Sequence, residues 1–268
     1  ALEVYPRRGV SIVRGAGATL WDDQGNAYLD CASGVGVASV GHANPAVAQA
    51  LAEQAQTLVT CPGIFFNDQR GQLMETLVGL APDGLNRVFL CNSGTEANMM
   101  NISLARAVTG RPAVMALNGS YHGGLFSFAG GSPSPMNAPI ETVIGEFNEL
   151  DRCRDLIRRH ADRLAALIVE PVMGGAGCIP AEDDFLHMLR DETEKYGIVL
   201  IFDEVMTSRL SPGGLHQLVG ITPDLISFGK YLGGGVTFGA FGGRTDLMAR
   251  LDPRQPDALV HSGTYNNN

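Results

Sequence analysis

The sequence predicts an α/β chain, a doubly wound, mainly parallel sheet preceded by a short N-terminal β appendage. Three observations carry that expectation. From residue 87 onward short apolar runs alternate with helical patterns, the rhythm that lays helices over both faces of a parallel sheet. The run at 198–205 is apolar and β-branched and ends in Asp203-Glu204-Val205, which reads as a buried strand delivering carboxylates at its carboxyl edge, where open α/β sheets bind ligands. Before residue 42 the chain reads differently, as short strands and turns.

Each element has its own signal. Ser11 to Arg14, Ala18 to Trp21 and Ala27 to Asp30 read as strands, and Asp22-Asp23-Gln24-Gly25-Asn26 between the last two is a hairpin turn that needs positive φ. Glycine-rich residues 33–37 lead to Gly41-His42, after which Asn44 as N-cap and Pro45 at the first position start a helix to Leu58. Phe66-Asn67-Asp68 opens a second helix to about Leu80, with Leu73, Met74, Leu77 and Leu80 at core spacing. Strands follow at 87–91, 112–116, 142–146, 166–170, 197–203, 225–228 and 238–242, with helices at 95–109, 149–163, 184–196 and 245–251. The stretch from Ala129 to Pro139, rich in Gly, Ser and Pro, reads as a flexible loop. The expected division is a β segment at 1–42 and an α/β domain at 43–268.

Composition narrows the function classes. An apolar content of 45% supplies a real core, and 28 acids against 19 bases, with no basic run, argue against nucleic-acid or anionic-membrane partners. No apolar run is long enough for a membrane segment, and the N-terminus lacks the pattern of a secretion signal. Cys31, Cys61, Cys91, Cys153 and Cys178 are odd in number and widely spaced, which fits free thiols in a reducing compartment, the cytoplasm, and offers no metal site.

Lysine is scarce, Lys195 and Lys230 standing against 17 arginines. Lys195 sits in a charged helix face, whereas Lys230 follows the short strand Leu225-Ile226-Ser227-Phe228 and Gly229. An acid from one strand and a lysine from the next, both at carboxyl edges, make the pair that pyridoxal 5'-phosphate (PLP) chemistry needs: the lysine forms a Schiff base and the acid keeps the pyridine nitrogen protonated. Asp203 and Lys230 as unrelated strand-end residues is the alternative. Ser93, Gly94 and Thr95 open a helix after a strand, a place for a phosphate on free backbone N–H groups or for plain N-capping. Tyr121-His122 among glycines is either a ring that stacks on the cofactor or a turn with two semi-buried rings. Glu170-Pro171 is one more acid at a strand end, or a helix-entry acid on a glycine-rich loop.

Ser93-Gly94-Thr95-Glu96-Ala97, Tyr121-His122-Gly123, Glu170-Pro171, Asp203-Glu204-Val205-Met206-Thr207, Gly229-Lys230 and Gly263-Thr264 occur in the order and approximate spacing of the class III, fold type I, PLP-dependent aminotransferases, and the resemblance covers essentially the whole chain. It implies the large domain of a PLP-dependent transferase and ping-pong amino transfer between an amino acid or amine and a keto acid. Lys230 would be Schiff-base lysine and acid/base, and Asp203 would bind the pyridine nitrogen. Tyr121 and Val205 would cover the two ring faces, while Ser93, Gly94 and Thr95 would hold the phosphate. Thr264 would reach the phosphate of a dimer mate, and His122, Glu170 and Met206 complete the implied cofactor site. Residues 1–98 resemble the acetylornithine aminotransferase group; from Met99 on, and above all in Asp203 to Ser211 and His261 to Asn268, the chain resembles β-amino-acid transaminases and glutamate-1-semialdehyde aminomutases, as a hybrid would. Gly124 stands where acetylornithine-type enzymes carry an arginine for the α-carboxylate. Met206 and Thr207 fit the aminomutase branch as well, which leaves an aminomutase as one alternative; the family's last helix and small C-terminal domain are expected to be missing, which leaves a silent, truncated PLP-binding module as another.

Overall fold

A computed structural model describes residues 4–81 and 84–267, so Asn268 of the C-terminal motif lies outside the described residues. The chain divides into two compact units, one running to Thr60 and taking in Tyr231–Val236, the other comprising Cys61–Lys230 and Thr237 onward.

In the first unit β1 (Ile12–Ala16), β2 (Thr19–Asp22) and β3 (Ala27–Leu29) form an antiparallel sheet. The Asp22 carboxylate closes its turn by accepting from the Gln24 and Asn26 amides at 3.0 and 2.8 Å. The next turn, α1 (Ser33–Gly36), is left-handed: φ is 50° at Ser33, 59° at Gly34, 64° at Val35 and 77° at Gly36, a conformation that costs a residue with a Cβ about 1–2 kcal/mol. α2 (Pro45–Thr57) starts where expected, Asn44 Oδ1 accepting from the Ala46 and Val47 amides. The unit runs past the boundary expected at 42 because the His42 and Gly17 backbones bond each other in both directions, tying the hairpin to the segment that starts α2.

The second unit opens with α3 (Asp68–Leu80) and then alternates: β4 (Arg87–Cys91), α4 (Gly94–Thr109), β5 (Ala113–Leu117), β6 (Glu141–Gly145), α5 (Leu150–Arg159) and β7 (Leu164–Val169). A small hairpin of β8 (Val172–Met173) and β9 (Ile179–Pro180), absent from the sequence expectation, precedes α6 (Asp183–Tyr196). β10 (Val199–Asp203), α7 (Leu215–Val219), β11 (Leu225–Gly229), β12 (Gly239–Gly243) and α8 (Thr245–Met248) complete it. The sheet has seven strands in the order β4-β12-β11-β10-β7-β5-β6. It is parallel except for β12, which runs antiparallel to both neighbours. Glycine is required there: a Cβ on Gly239 would lie 2.3 Å from the Ser93 carbonyl oxygen, and one on Gly242 2.2 Å from that of Arg87.

Strand alternation sorts the core into two layers. Val114, Ala116, Ala166, Ile168 and Ile201 face a cluster with Ala97, Ile102 and Ala105 of α4. Met115, Leu117, Leu167, Leu200 and Phe202 face the other, with Ile157 of α5 and Phe185 and Leu189 of α6. Helices thus cover both faces, as a doubly wound sheet requires. α5 stops short of the expected 163 because the amides of Arg163 and Leu164 turn back onto the His160 carbonyl, which starts β7 at Leu164. α3 corrects a second expectation: Leu77 is buried, but Leu73 and Leu80 are 37% and 47% exposed. Along β4, an edge strand, the Leu90 amide donates to Asn267 Oδ1 and the Asn267 amide to the Leu90 carbonyl, both at 2.9 Å.

Candidate active site

The carboxyl edge of the sheet collects the acids and the lysine. Asp203 ends β10 in register beside Ser227 of β11, Glu170 follows β7, and Lys230 follows β11. Lys230 is half-buried, and its backbone takes the left-handed region at φ 47°. Strain of this kind costs about 1–3 kcal/mol and concentrates at functional positions.

Asp203 is buried and surrounded by donors. His122 Nδ1 lies 2.8 Å and Asn98 Nδ2 2.7 Å from Asp203 Oδ2, while the Val205 amide donates to Oδ1 at 3.1 Å. Because Oδ2 is an acceptor, His122 Nδ1 carries a proton; its Nε2 is buried without a protein partner, as is Asn98 Oδ1. Oδ1 takes a backbone amide only among the described residues, leaving acceptor capacity for one more donor. A protonated ring nitrogen has the chemistry that fits it.

Several of the residues expected at the site lie around this acid. Ser93 is the N-cap of α4, its Oγ accepting from the Glu96 amide at 3.2 Å, so the Gly94 and Thr95 amides head a helix of 16 residues with no intrahelical carbonyl to bind. Val205 is wedged between two glycines: a Cβ on Gly94 would come 2.8 Å from Val205 Cγ2, and one on Gly229 3.2 Å from Val205 Cγ1. Gly123, at φ +109°, presses so closely on Thr95 that a Cβ would lie 2.3 Å from Thr95 Oγ1, which sets the Tyr121-His122 loop on the start of α4. Tyr121 is 46% exposed while His122 is buried. Glu170 fastens that loop from the other side, accepting from the Tyr121 amide at 2.8 Å and the Gly174 amide at 3.1 Å. Burial pushes the Glu170 carboxyl above the ordinary carboxylate range; His122 opposes the shift and Asp203 adds to it. Met206 packs on Gly174, where a Cβ would lie 2.3 Å from its sulfur. Thr264 is exposed, and among the described residues no hydrogen bond joins it or Lys230 to this cluster.

Two site residues escape the sequence reading. Asn98 stands mid-helix with nothing to mark its target. Glu204 is fully buried: Oε2 accepts from the Leu215 amide at 2.6 Å and Thr207 Oγ1 at 3.1 Å, and Oε1 from the His216 amide at 2.8 Å, with His216 Nδ1 at 2.5 Å. It holds the chain that leaves the Asp203 strand. The acid-acid sequence at the end of an apolar run was the one available signal.

Cys31, Cys91, Cys153 and Cys178 are free thiols. Among the described residues no helix is long and apolar enough to cross a membrane.

A family model for class-III aminotransferases matches residues 4–268. A β-phenylalanine transaminase of Variovorax paradoxus is 42% identical over 259 residues, 97% of this chain and 58% of its own. That alignment runs through both the segment before residue 98 and the segment after it. The crystal structure of the β-phenylalanine aminotransferase from the same organism superposes with a TM-score of 0.91 at 40% identity, over 99% of this chain and 60% of that one. A glutamate-1-semialdehyde 2,1-aminomutase of Thermodesulfovibrio yellowstonii is 37% identical over 96% of this chain and 62% of its own. A solved transaminase with PLP bound gives a TM-score of 0.89 at 31% identity, over 100% of this chain and 65% of that one. The chain therefore spans about three fifths of the length of these relatives. With the match to the family model running over all but its first three residues, this chain belongs to the class-III aminotransferases.

Proposed function

We propose that this chain is the cofactor-binding part of a PLP-dependent transaminase that moves an amino group between an amino acid or amine and a keto acid. The observation that carries the reading is the buried Asp203 carboxylate, held by Asn98 and His122 with one oxygen left for a donor, at the same sheet edge as Lys230. PLP supplies an electron sink that makes a proton on the substrate carbon labile. Asp203 holds a proton on the ring nitrogen, which keeps that sink effective. The amides of Gly94 and Thr95, with the Ser93 and Thr95 hydroxyls, bind the phosphate at the α4 N-terminus. Val205 and Tyr121 hold the ring between them, with His122, Glu170 and Met206 supporting their loops. Lys230 would hold the cofactor through Nζ and would take and return the proton at that atom.

The exposed run Ile64-Phe65-Phe66, at 85%, 60% and 107%, supports a homodimer in which Thr264 reaches the partner's phosphate. The free thiols of Cys31, Cys91, Cys153 and Cys178 support a cytoplasmic location. β-Amino acids are the first donor class to try, from the Variovorax relative. The aminomutase relative favours one alternative, isomerisation of an amino semialdehyde with no keto-acid acceptor.

The test is a visible spectrum with PLP, before and after β-phenylalanine or glutamate-1-semialdehyde, followed by borohydride reduction and peptide mapping. The reading expects a reducible chromophore on the Lys230 peptide that a donor bleaches, and none in Lys230→Ala. A chromophore retained in that variant sinks the assignment. A chromophore that no donor bleaches leaves a binding module without transfer activity.

A further inference from the structure

We propose that Asn98 is the positioning residue of the site, steering both side-chain donors of Asp203 onto one carboxylate oxygen so that the other faces the ring nitrogen. The inference rests on the PLP reading above and adds a residue to it.

Asn98 lies in the second turn of α4, 1% exposed. Its amide has one workable orientation. Nδ2 is 2.7 Å from Asp203 Oδ2 and 3.2 Å from the His122 carbonyl oxygen, and both are acceptors. Turned over, the amide would set Oδ1 against two oxygens. The two hydrogens of Nδ2 therefore bind two different segments. One takes the acid at the end of β10, and the other takes the backbone of the loop that carries Tyr121 and His122. Asn98 sits on the helix whose first amides are assigned to the phosphate. Through one amide, three parts of the cofactor site are held in register: phosphate cradle, stacking ring and acid.

The pairing also makes the carboxylate asymmetric. Asn98 and His122 converge on Oδ2, and Oδ1 receives only the Val205 amide. A carboxylate with both donors on one side cannot rotate without breaking two charge-assisted bonds, each stronger than a neutral one.

A purely structural role has a built-in comparison on the same helix. Asn101, one turn on, is equally buried, and its Nδ2 donates to Ser227 Oγ at 2.9 Å and the Ile226 carbonyl at 3.1 Å. It ties α4 to β11 without touching the acid. Asn98→Leu and Asn101→Leu thus remove similar buried amides at similar volume, one on Asp203 and one beside it.

The experiment measures three quantities in wild type and both variants: the PLP dissociation constant, the pH midpoint of the bound-PLP visible band without substrate, and the thermal midpoint of the PLP-free protein. The expected result is that Asn98→Leu weakens PLP binding on the order of 10- to 100-fold, the worth of one hydrogen bond to a charge, and moves the band's pH midpoint. Asn101→Leu lowers the thermal midpoint and leaves PLP binding within about threefold, less than half a tenfold step in free energy. Wild-type affinity and pH midpoint in Asn98→Leu, or equal losses in both variants, would overturn the proposal. Should Asn98→Leu not fold, Asn98→Asp decides: its carboxyl faces Asp203 and the His122 carbonyl, and only its protonated form can donate, through one O–H, to the Asp203 carboxylate. PLP binding in that variant is expected to recover as pH falls, and a pH-independent affinity overturns the proposal. If wild type itself binds no PLP, the functional reading fails instead, which the variants do not mimic.

Discussion

Glu204→Gln removes a charge and almost no volume from a fully buried position, and its cost follows from four bonds. The carboxylate accepts from two donors on each oxygen: Leu215 N and Thr207 Oγ1 on one, His216 N and Nδ1 on the other. Glutamine offers one oxygen and one NH2. With its oxygen towards His216, the NH2 faces the Leu215 amide and the Thr207 hydroxyl; the hydroxyl turns to accept, and Leu215 N is left unpaired. With its oxygen towards Leu215, the NH2 faces His216; the ring moves its proton to Nε2 and accepts at Nδ1, and His216 N is left unpaired. Either way one buried backbone N–H loses its partner, worth about 1–3 kcal/mol. The surviving bonds then go to an amide instead of a carboxylate, which weakens them by about 1 kcal/mol. The expected loss is therefore about 2–4 kcal/mol. Urea unfolding followed by circular dichroism measures it as a lower midpoint at unchanged slope. A loss below about 1 kcal/mol would show that Glu204 is dispensable to the loop it holds, since even one orphaned amide costs that much.

Other outcomes follow from burial. Glu170 has a folded pKa raised mainly by burial, so its protonated form favours folding. Its contribution is fully present below the ordinary carboxylate value and is lost as pH rises through the raised one. Stability of Glu170→Gln relative to wild type should therefore increase across that window; a flat difference would refute the shift. Burial pushes the Cys91 and Cys153 thiols up to about 12 and about 11. Iodoacetamide on the native protein should label the exposed Cys31 and Cys178 and spare these two, and rapid alkylation of Cys91 or Cys153 would contradict their burial.

The parallel sheet was legible because a strand buried on both faces must be continuously apolar, and residues 198–203 have no polar side chain before Asp203. Lys230 stood out through scarcity and place, and the fold sets it after β11, next to the strand that ends in Asp203. Asn98 was not, since a polar residue inside a helix usually faces water, and only the fold discloses that this one points at a strand end 105 residues away. The direction of β12 was equally hidden. Its glycines answer to the neighbouring backbones of Ser93 and Arg87, and nothing local to Gly239–Gly243 announces them. Leu73 and Leu80 repeat at helical spacing yet stay exposed, because spacing tells which residues share a face and not what covers it.

The clasp between Asn267 and Leu90 has a consequence for how the protein behaves in crowded solution. An edge strand with free amides and carbonyls is a template on which another chain can add a strand, the first step of aggregation. Here one asparagine occupies both the donor and the acceptor of Leu90, next to the last residue of β4. An incoming strand would have to strip off that clasp before it could zip along the edge. Solubility of the sheet thus depends in part on a single residue, side chain and backbone together, nearly 180 residues from the strand it guards.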